Sequence, residues 1–160
     1  MQRLLATLIA ATASACYPPP VEAPISRPFI APACTYCPGH RGLDYELSAG
    51  TLVHAVAGGV VTFSGAVAGI HFVVMLQDDG LTATYGALGP SPRHAGEAVR
   101  RGEVVGASTD LLYFGLRDGD QYIDPQPRLG RWKRRPRLVP SGGARSRPPR
   151  PPILQCPPTS

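Results

Sequence analysis

The segment Pro-Gly-His-Arg-Gly-Leu-Asp-Tyr-Glu at residues 38–46 places His40 four residues before Asp44. Imidazole and carboxylate are both zinc ligands, and a catalytic zinc ion normally has three protein ligands plus water. In a straight strand, residues four apart are separated by roughly 13 Å, which is too far to share one ion. A turn or bulge at Gly42 would bring the two side chains together. The segment therefore predicts half of a metal site.

Three other histidines are candidates for the missing half. His54 and His71 lie in strand-like apolar runs, and His94 lies in a polar loop. Histidines in such places are ordinarily strand residues or solvated side chains, and two of them would have to converge on His40 to complete a site. We expect that they do not.

The cysteines allow two interpretations. Cys34, Cys37 and His40 have C-x2-C-x2-H spacing, which with Asp44 could hold a closed structural zinc ion. Thiols of an exported protein tend to oxidise, which favours a disulfide, either between Cys34 and Cys37 or to a distant cysteine. The pairing among these two, Cys16 and Cys156 does not follow from the sequence.

Residues 1–15 are typical of an export signal. Arg3 precedes a short apolar stretch that ends in Ala-Ser-Ala, and ten to twelve apolar residues are too few to span a bilayer. We therefore expect an extracellular or envelope-associated protein. The residues before Cys16 fit a lipoprotein box as well as a conventional cleavage site, with a slight preference for release without lipid.

The composition predicts an all-β fold. Glycine and proline together make up nearly a quarter of the chain, and short apolar runs alternate with glycine turns at roughly ten-residue spacing. Asp-Asp-Gly at residues 78–80 predicts a hairpin turn, because Asp-Gly tolerates the left-handed backbone of such turns. We expect a small antiparallel β-sandwich or open barrel over residues 28–130.

The two ends differ from this domain. Residues 16–27 are rich in proline and predict a linker. Residues 131–160 contain eight prolines and predict a disordered tail. Charge separates the tail further, because residues 16–127 carry six arginines against eleven acids, a net charge of −5, whereas residues 128–160 carry nine basic residues and no acid.

The order of motifs resembles the lysostaphin-type (LytM-like) zinc metallopeptidases, which are secreted β-sheet enzymes that cut peptide cross-links in bacterial peptidoglycan. The motifs that carry the resemblance are GHRGLD, GTLVHAVAGGVVTFSG, DGLTATYGAL, GEAVRRGEVVGAS, LLYFGLRDG and YIDP. The resemblance covers nearly the whole expected domain. It implies that His40 and Asp44, in a His-x-Gly-x-Asp segment, match two zinc ligands.

The chain departs from this family at three positions. The family's third ligand ends a His-x-His segment whose first histidine is catalytic, but here Leu111 stands at the catalytic position and Tyr113 at the ligand position. Its other catalytic histidine follows Tyr-x, where this chain has Ala87. Alanine and leucine cannot transfer a proton, and a phenol of pKa about 10 is a poor ligand at pH 7. The resemblance therefore implies a degenerate member with a vestigial metal pair and no zinc cofactor.

These features predict an exported, catalytically inactive domain that binds peptidoglycan or regulates a cell-wall hydrolase. One alternative is an active zinc metalloendopeptidase with a divergent third ligand, and another is a structural envelope protein that interacts through its tail. The basic tail predicts contact with anionic envelope polymers. Nucleic acid is not an expected partner, because the protein is expected to be exported and its tail offers only Trp132 for base stacking.

Overall fold

The computed structural model describes residues 16–34, 36–134 and 150–158. The expected export signal, residues 1–15, lies outside the described residues, as do residues 135–149 of the tail. The regular secondary structure of the described part is almost entirely antiparallel β-strand, which confirms the predicted fold class. Its strands are β1 (Leu43–Glu46), β2 (Leu52–His54), β3 (Gly59–Val67), β4 (Ile70–Gln77), β5 (Thr82–Leu88), β6 (Ala98–Val99), β7 (Val104–Asp118), β8 (Gln121–Ile123), β9 (Arg131–Lys133) and β10 (Ile153–Gln155).

One large sheet organises the domain, with strand order β1-β7-β5-β4-β3-β6. The long strand β7 also pairs with β2 and β8, while β9 and β10 form a separate two-stranded sheet. Between β4 and β5, Gly80 has a φ of 87°, so the Asp-Asp-Gly turn uses the left-handed backbone that glycine adopts without a clash. A 3-10 turn at Gln126–Arg128 follows β8.

Alternation along β7 separates the core from the candidate site. Leu112, Phe114 and Leu116 are fully buried, whereas Leu111 and Tyr113, which alternate with them, are only half-buried. Successive side chains of a strand point to opposite faces, so Leu111 and Tyr113 lie on the face away from the core. We call this the outer face. The core face also receives the largest buried side chains of neighbouring strands, which include Tyr45, Met75 and Tyr85.

The predicted linker is instead packed onto the domain. Tyr17 and Val21 are buried in the core cluster. The backbone N–H of Tyr17 donates to Arg128 and its carbonyl accepts from Gly130, while the Tyr17 hydroxyl donates to the Asp79 carboxylate. The prediction that residues 16–27 form a linker was wrong. Burial of the apolar side chains of Tyr17 and Val21 removes them from water, and this favours a packed segment over a free one.

The prediction of disorder was also wrong for part of the tail. Strands β9 and β10 pair antiparallel, with Trp132 opposite Leu154. Just after β10, Cys156 forms a disulfide with Cys16, which connects the two ends of the described chain. A Cys16 sulfur in this disulfide cannot also carry a lipid. No helix among the described residues is long and apolar enough to cross a membrane.

One buried side chain leads to a stability prediction. Gln77 is 3% exposed, and neither its Nε2 nor its Oε1 atom has a hydrogen-bond partner among the described residues. Because an unsatisfied buried polar group is costly, we expect Gln77→Met to raise the free energy of unfolding by about 1–2 kcal/mol. Urea unfolding tests this, with exposed Gln121→Met as the control. Lower stability of Gln77→Met than of wild type would contradict it.

Candidate functional site

His40 and Asp44 come together at the start of β1. The imidazole Nε2 lies 3.1 Å from Asp44 Oδ2, and both side chains are largely buried. His40 Nδ1 lies 2.9 Å from the carbonyl oxygen of Pro28. Since a carbonyl only accepts, Nδ1 carries the proton and Nε2 is directed at the carboxylate. A histidine whose other nitrogen donates to a backbone carbonyl has the orientation of many metal ligands.

The backbone bends at Gly42, as expected, although the φ of this glycine lies outside the left-handed region. Gly42 is also constrained by a close approach to β7. A Cβ at this position would lie 2.5 Å from the Phe114 carbonyl oxygen and 2.7 Å from the Tyr113 ring. A glycine is therefore required here, because the segment just before β1 runs tightly against β7 and the ring of Tyr113.

Tyr113 occupies the position expected for the third ligand. It is directly opposite Asp44 in the β1–β7 register. Its ring packs edge-on against His40, with centroids 5.9 Å apart. Its hydroxyl donates to the carbonyl oxygen of Arg41 at 3.0 Å. Burial, with smaller contributions from Tyr122 and Asp44, raises the pKa of Tyr113 to about 12, so the phenol is neutral at pH 7.

The two positions expected for catalytic histidines offer no proton-transfer group. Leu111 faces Glu46 across the β1–β7 register. Ala87 lies in a bulge beside Gly86, the register partner of Tyr113, and has a φ of 58°. Its backbone carbonyl accepts a hydrogen bond from the Thr109 hydroxyl. The structure thus places these positions around Tyr113, but with side chains that cannot act as acid or base.

The other histidines have their own surroundings. His54 Nδ1 lies 3.0 Å from the Gly102 carbonyl oxygen. His71 lies in β4 opposite Ala66, and the backbone N–H of His94 donates to Glu97. Within the described ranges, no group of three or more His, Cys, Asp or Glu side chains could hold a metal ion.

Cys34 and Cys37 are joined by a disulfide. Their sulfurs are therefore not available as thiolates. The alternative of a structural zinc site at Cys34, Cys37, His40 and Asp44 loses two of its four ligands.

The outer face beside the site is apolar, which the sequence analysis missed. Phe72 is the register partner of Gly86, and its ring lies where a Gly86 side chain would be. Phe63 is opposite Val74, and Val60 is opposite Leu76. The sequence of β4 could have indicated this apolar surface, because it is a nearly continuous apolar run and has no polar residue on the face away from the core.

The antiparallel sheet and the His-x-Gly-x-Asp pair of this chain are features of β-sheet metallopeptidase domains. The family model for peptidase family M23 matches residues 38–125, more than half of the chain, and the chain belongs to this family.

Similar proteins share the domain but not the full length. The chain is 31% identical over 121 residues to the uncharacterized protein Rv2891 of Mycobacterium tuberculosis (strain ATCC 25618 / H37Rv), a match that covers 68% of this chain and 47% of the relative. The chain thus spans about half the length of the curated relatives it matches.

Among solved structures, Helicobacter pylori Csd3 in its orthorhombic crystal has a TM-score of 0.64 and 25% identity, covering 72% of this chain and 35% of Csd3. The catalytic domain of the antimicrobial peptidase lysostaphin from Staphylococcus simulans has a TM-score of 0.58 and 18% identity, covering 66% of this chain and 90% of that domain. The likeness to lysostaphin concerns the fold alone.

The residues present do not fit the zinc ion that this class of domain implies. His40 and Asp44 supply two donors of the right chemistry. The third donor would be the Tyr113 phenol, which is neutral and hydrogen-bonded to the Arg41 carbonyl. A catalytic zinc site normally has three protein ligands, so this donor set is one short.

The raised pKa of Tyr113 leads to a prediction about alkaline stability. The pKa of Tyr113 is about 12 in the folded protein and 10.0 in the unfolded chain. The neutral phenol therefore contributes its full stabilisation of the fold below pH 10, and this stabilisation is lost as pH rises through about 12. At neutral pH we expect Tyr113→Phe to be less stable than wild type by about 1 kcal/mol, because the bond to the Arg41 carbonyl is lost.

The measurement is urea unfolding at a series of pH values. The stability gap between wild type and Tyr113→Phe should narrow as pH rises above 10, while the 96% exposed Tyr36, changed to Phe, should leave the profile unchanged. A gap that stays constant up to pH 12 would show that Tyr113 ionises as readily in the folded protein as in the unfolded one.

Proposed function

We propose that this protein is an exported, non-catalytic M23 domain that binds peptidoglycan at the cell envelope, where it acts as a binding module or regulates cell-wall hydrolases. The observation that carries the proposal is the replacement of one ligand and both catalytic histidines by Tyr113, Leu111 and Ala87, on an otherwise complete sheet. Membership of a peptidase family supports peptidoglycan as the ligand.

The Tyr113 ring supports the non-catalytic part of the proposal. It packs against His40 and is tied to the Arg41 carbonyl, in the space that a third ligand would need. Metal-activated hydrolysis requires a metal-bound water. In this proposal His40 has a structural role instead, because its Nδ1 donates to the Pro28 carbonyl and so holds the start of β1 against the N-terminal segment.

The apolar outer face supports the binding part. Phe63 in β3 and Leu76 in β4 remain 40% and 47% exposed on this face. Exposed apolar side chains clustered on one face are typical of an interaction surface. In this proposal the face holds a cross-link peptide of peptidoglycan without cutting it.

The basic residues that follow the domain give a second contact. Arg131, Lys133, Arg134 and Arg150 are all exposed. We propose that they contact anionic envelope polymers. This contribution should weaken as salt rises, because exposed charges are screened within about 8 Å at physiological ionic strength.

Co-sedimentation with purified peptidoglycan tests the proposal. Wild-type protein should sediment with the insoluble material and release no soluble fragments. The double change Phe63→Ser and Leu76→Ser should weaken retention by about tenfold or more, since each removes an apolar side chain from the contact. The matched control is Ile153→Ser, because Ile153 is 42% exposed but lies in β10, in the separate two-stranded sheet.

Two results would contradict the proposal. Absence of retention at low salt would remove peptidoglycan as the ligand. Release of soluble fragments by the wild-type protein, lost in His40→Ala, would identify an active enzyme.

A further inference from the structure

A cleft is lined by Tyr45 of β1, and because successive strand residues point to opposite faces it lies on the other side of this strand from Asp44. Its volume is about 990 Å³, and it lies between the N-terminal segment and the two-stranded sheet of β9 and β10. Ligand pockets commonly have volumes of about 300–1,000 Å³. Most of its lining comes from residues outside the region that the family model matches. The cleft is therefore a feature of this chain's own ends, which the Cys16–Cys156 disulfide holds together.

Two aromatic side chains line this cleft. Trp132, the only tryptophan of the chain, is 40% exposed in β9. Tyr45 is 1% exposed, and its hydroxyl has no hydrogen-bond partner within the described part of the chain. Buried tyrosine hydroxyls usually have a partner. Burial raises the pKa of Tyr45, so the hydroxyl is a neutral donor at pH 7.

The remaining polar lining mixes donors and acceptors. Glu22 and Asp124 supply carboxylates, Gln126 and Gln155 supply amides, and Arg131 supplies a guanidinium. Asp124 Oδ1 accepts from the backbone N–H of Gln126 at 2.9 Å, which leaves further acceptor capacity on the carboxylate. A ligand in this cleft therefore has to offer donors to two carboxylates as well as acceptors to Arg131 and Tyr45.

We propose that this cleft binds an oligosaccharide, with one sugar ring lying on Trp132 and the ring hydroxyls bonded to the polar lining. Sugar hydroxyls both donate and accept, so they suit a mixed set of carboxylates, amides and a guanidinium. A proline-rich peptide also suits an aromatic groove, but proline has no N–H to donate to Glu22 and Asp124. The chemistry of the lining therefore favours a saccharide over such a peptide.

Ligand binding in the cleft can be measured by tryptophan fluorescence, because Trp132 is the only tryptophan of the chain and lines this cleft. The full-length protein is titrated with the tetramer of N-acetylglucosamine and with cellotetraose. At least one should produce a saturable change in Trp132 emission. Tyr45→Phe removes only a hydroxyl without a partner, so the fold is kept, and we expect it to weaken saccharide binding by about threefold to tenfold. Exposed Tyr36→Phe is the matched control and should bind as wild type.

Saturation by decaproline with no response to either saccharide would overturn the proposal in favour of a peptide site. Absence of any response from the folded protein would overturn it outright, and so would equal saccharide affinity of wild type and Tyr45→Phe. The test is independent of the outer face, because Phe63→Ser with Leu76→Ser should lose peptidoglycan retention through that face and still show the Trp132 response.

Discussion

Replacement of Tyr113 by histidine is expected to create a zinc site where the wild-type protein has only half of one. The ring at this position already packs against His40, with 5.9 Å between centroids, and is opposite Asp44 in the strand register. An imidazole there would add the third donor to His40 and Asp44. It would also remove the phenol that donates to the Arg41 carbonyl.

The measurement is zinc affinity by competition with a chelator. We expect Tyr113→His to bind one zinc ion at least about 100-fold more tightly than wild type, because a third protein ligand completes the usual set. Tyr113→Phe is the matched control and should gain nothing. Adding His40→Ala to Tyr113→His should abolish the gain. If folded Tyr113→His binds zinc no better than wild type, the ring of residue 113 does not occupy the third-ligand position.

Removal of the Cys16–Cys156 disulfide is expected to be the most destabilising single change. The two cysteines are 140 residues apart, so the bond restricts nearly the whole unfolded chain. A loop of this length corresponds to about 4–5 kcal/mol in the chain-entropy model. The bond also fixes the ends against which Tyr17 and β10 are packed. We therefore expect Cys156→Ser to lower the free energy of unfolding by about 3–5 kcal/mol.

The second disulfide gives an internal control. Cys34 and Cys37 are only three residues apart, so opening that ring releases far less chain entropy. Urea unfolding of Cys156→Ser should show a large loss of stability, and Cys34→Ser with Cys37→Ser a loss of about 2 kcal/mol or less. Equal losses, or no loss in Cys156→Ser, would mean that the long connection does not stabilise the fold.

Much of the sheet could be predicted from local patterns. The Asp-Asp-Gly turn, the glycine-bounded apolar runs and the His-x-Gly-x-Asp segment depend on a few neighbouring residues. Their structural consequences are local as well, as the positive φ of Gly80 shows. The fold class and the convergence of His40 and Asp44 were therefore within reach of sequence reasoning.

The contacts made by the chain ends were not predictable in this way. Burial of Tyr17 depends on Asp79 and Leu129, which are more than sixty residues away. A proline-rich composition gives no sign of such a partner. The close packing at Gly42 could not be predicted either, because the approach of Tyr113 exists only once β1 and β7 are paired.

We propose that this M23 domain does not use zinc to cut peptidoglycan. The most direct test measures the zinc content of the oxidised wild-type protein and its cleavage of purified peptidoglycan in the same preparation. We predict no stoichiometric zinc and no released fragments, because Ala87, Leu111 and Tyr113 supply neither the third ligand nor an acid or base. One zinc ion per chain, together with cleavage that His40→Ala abolishes, would contradict the account.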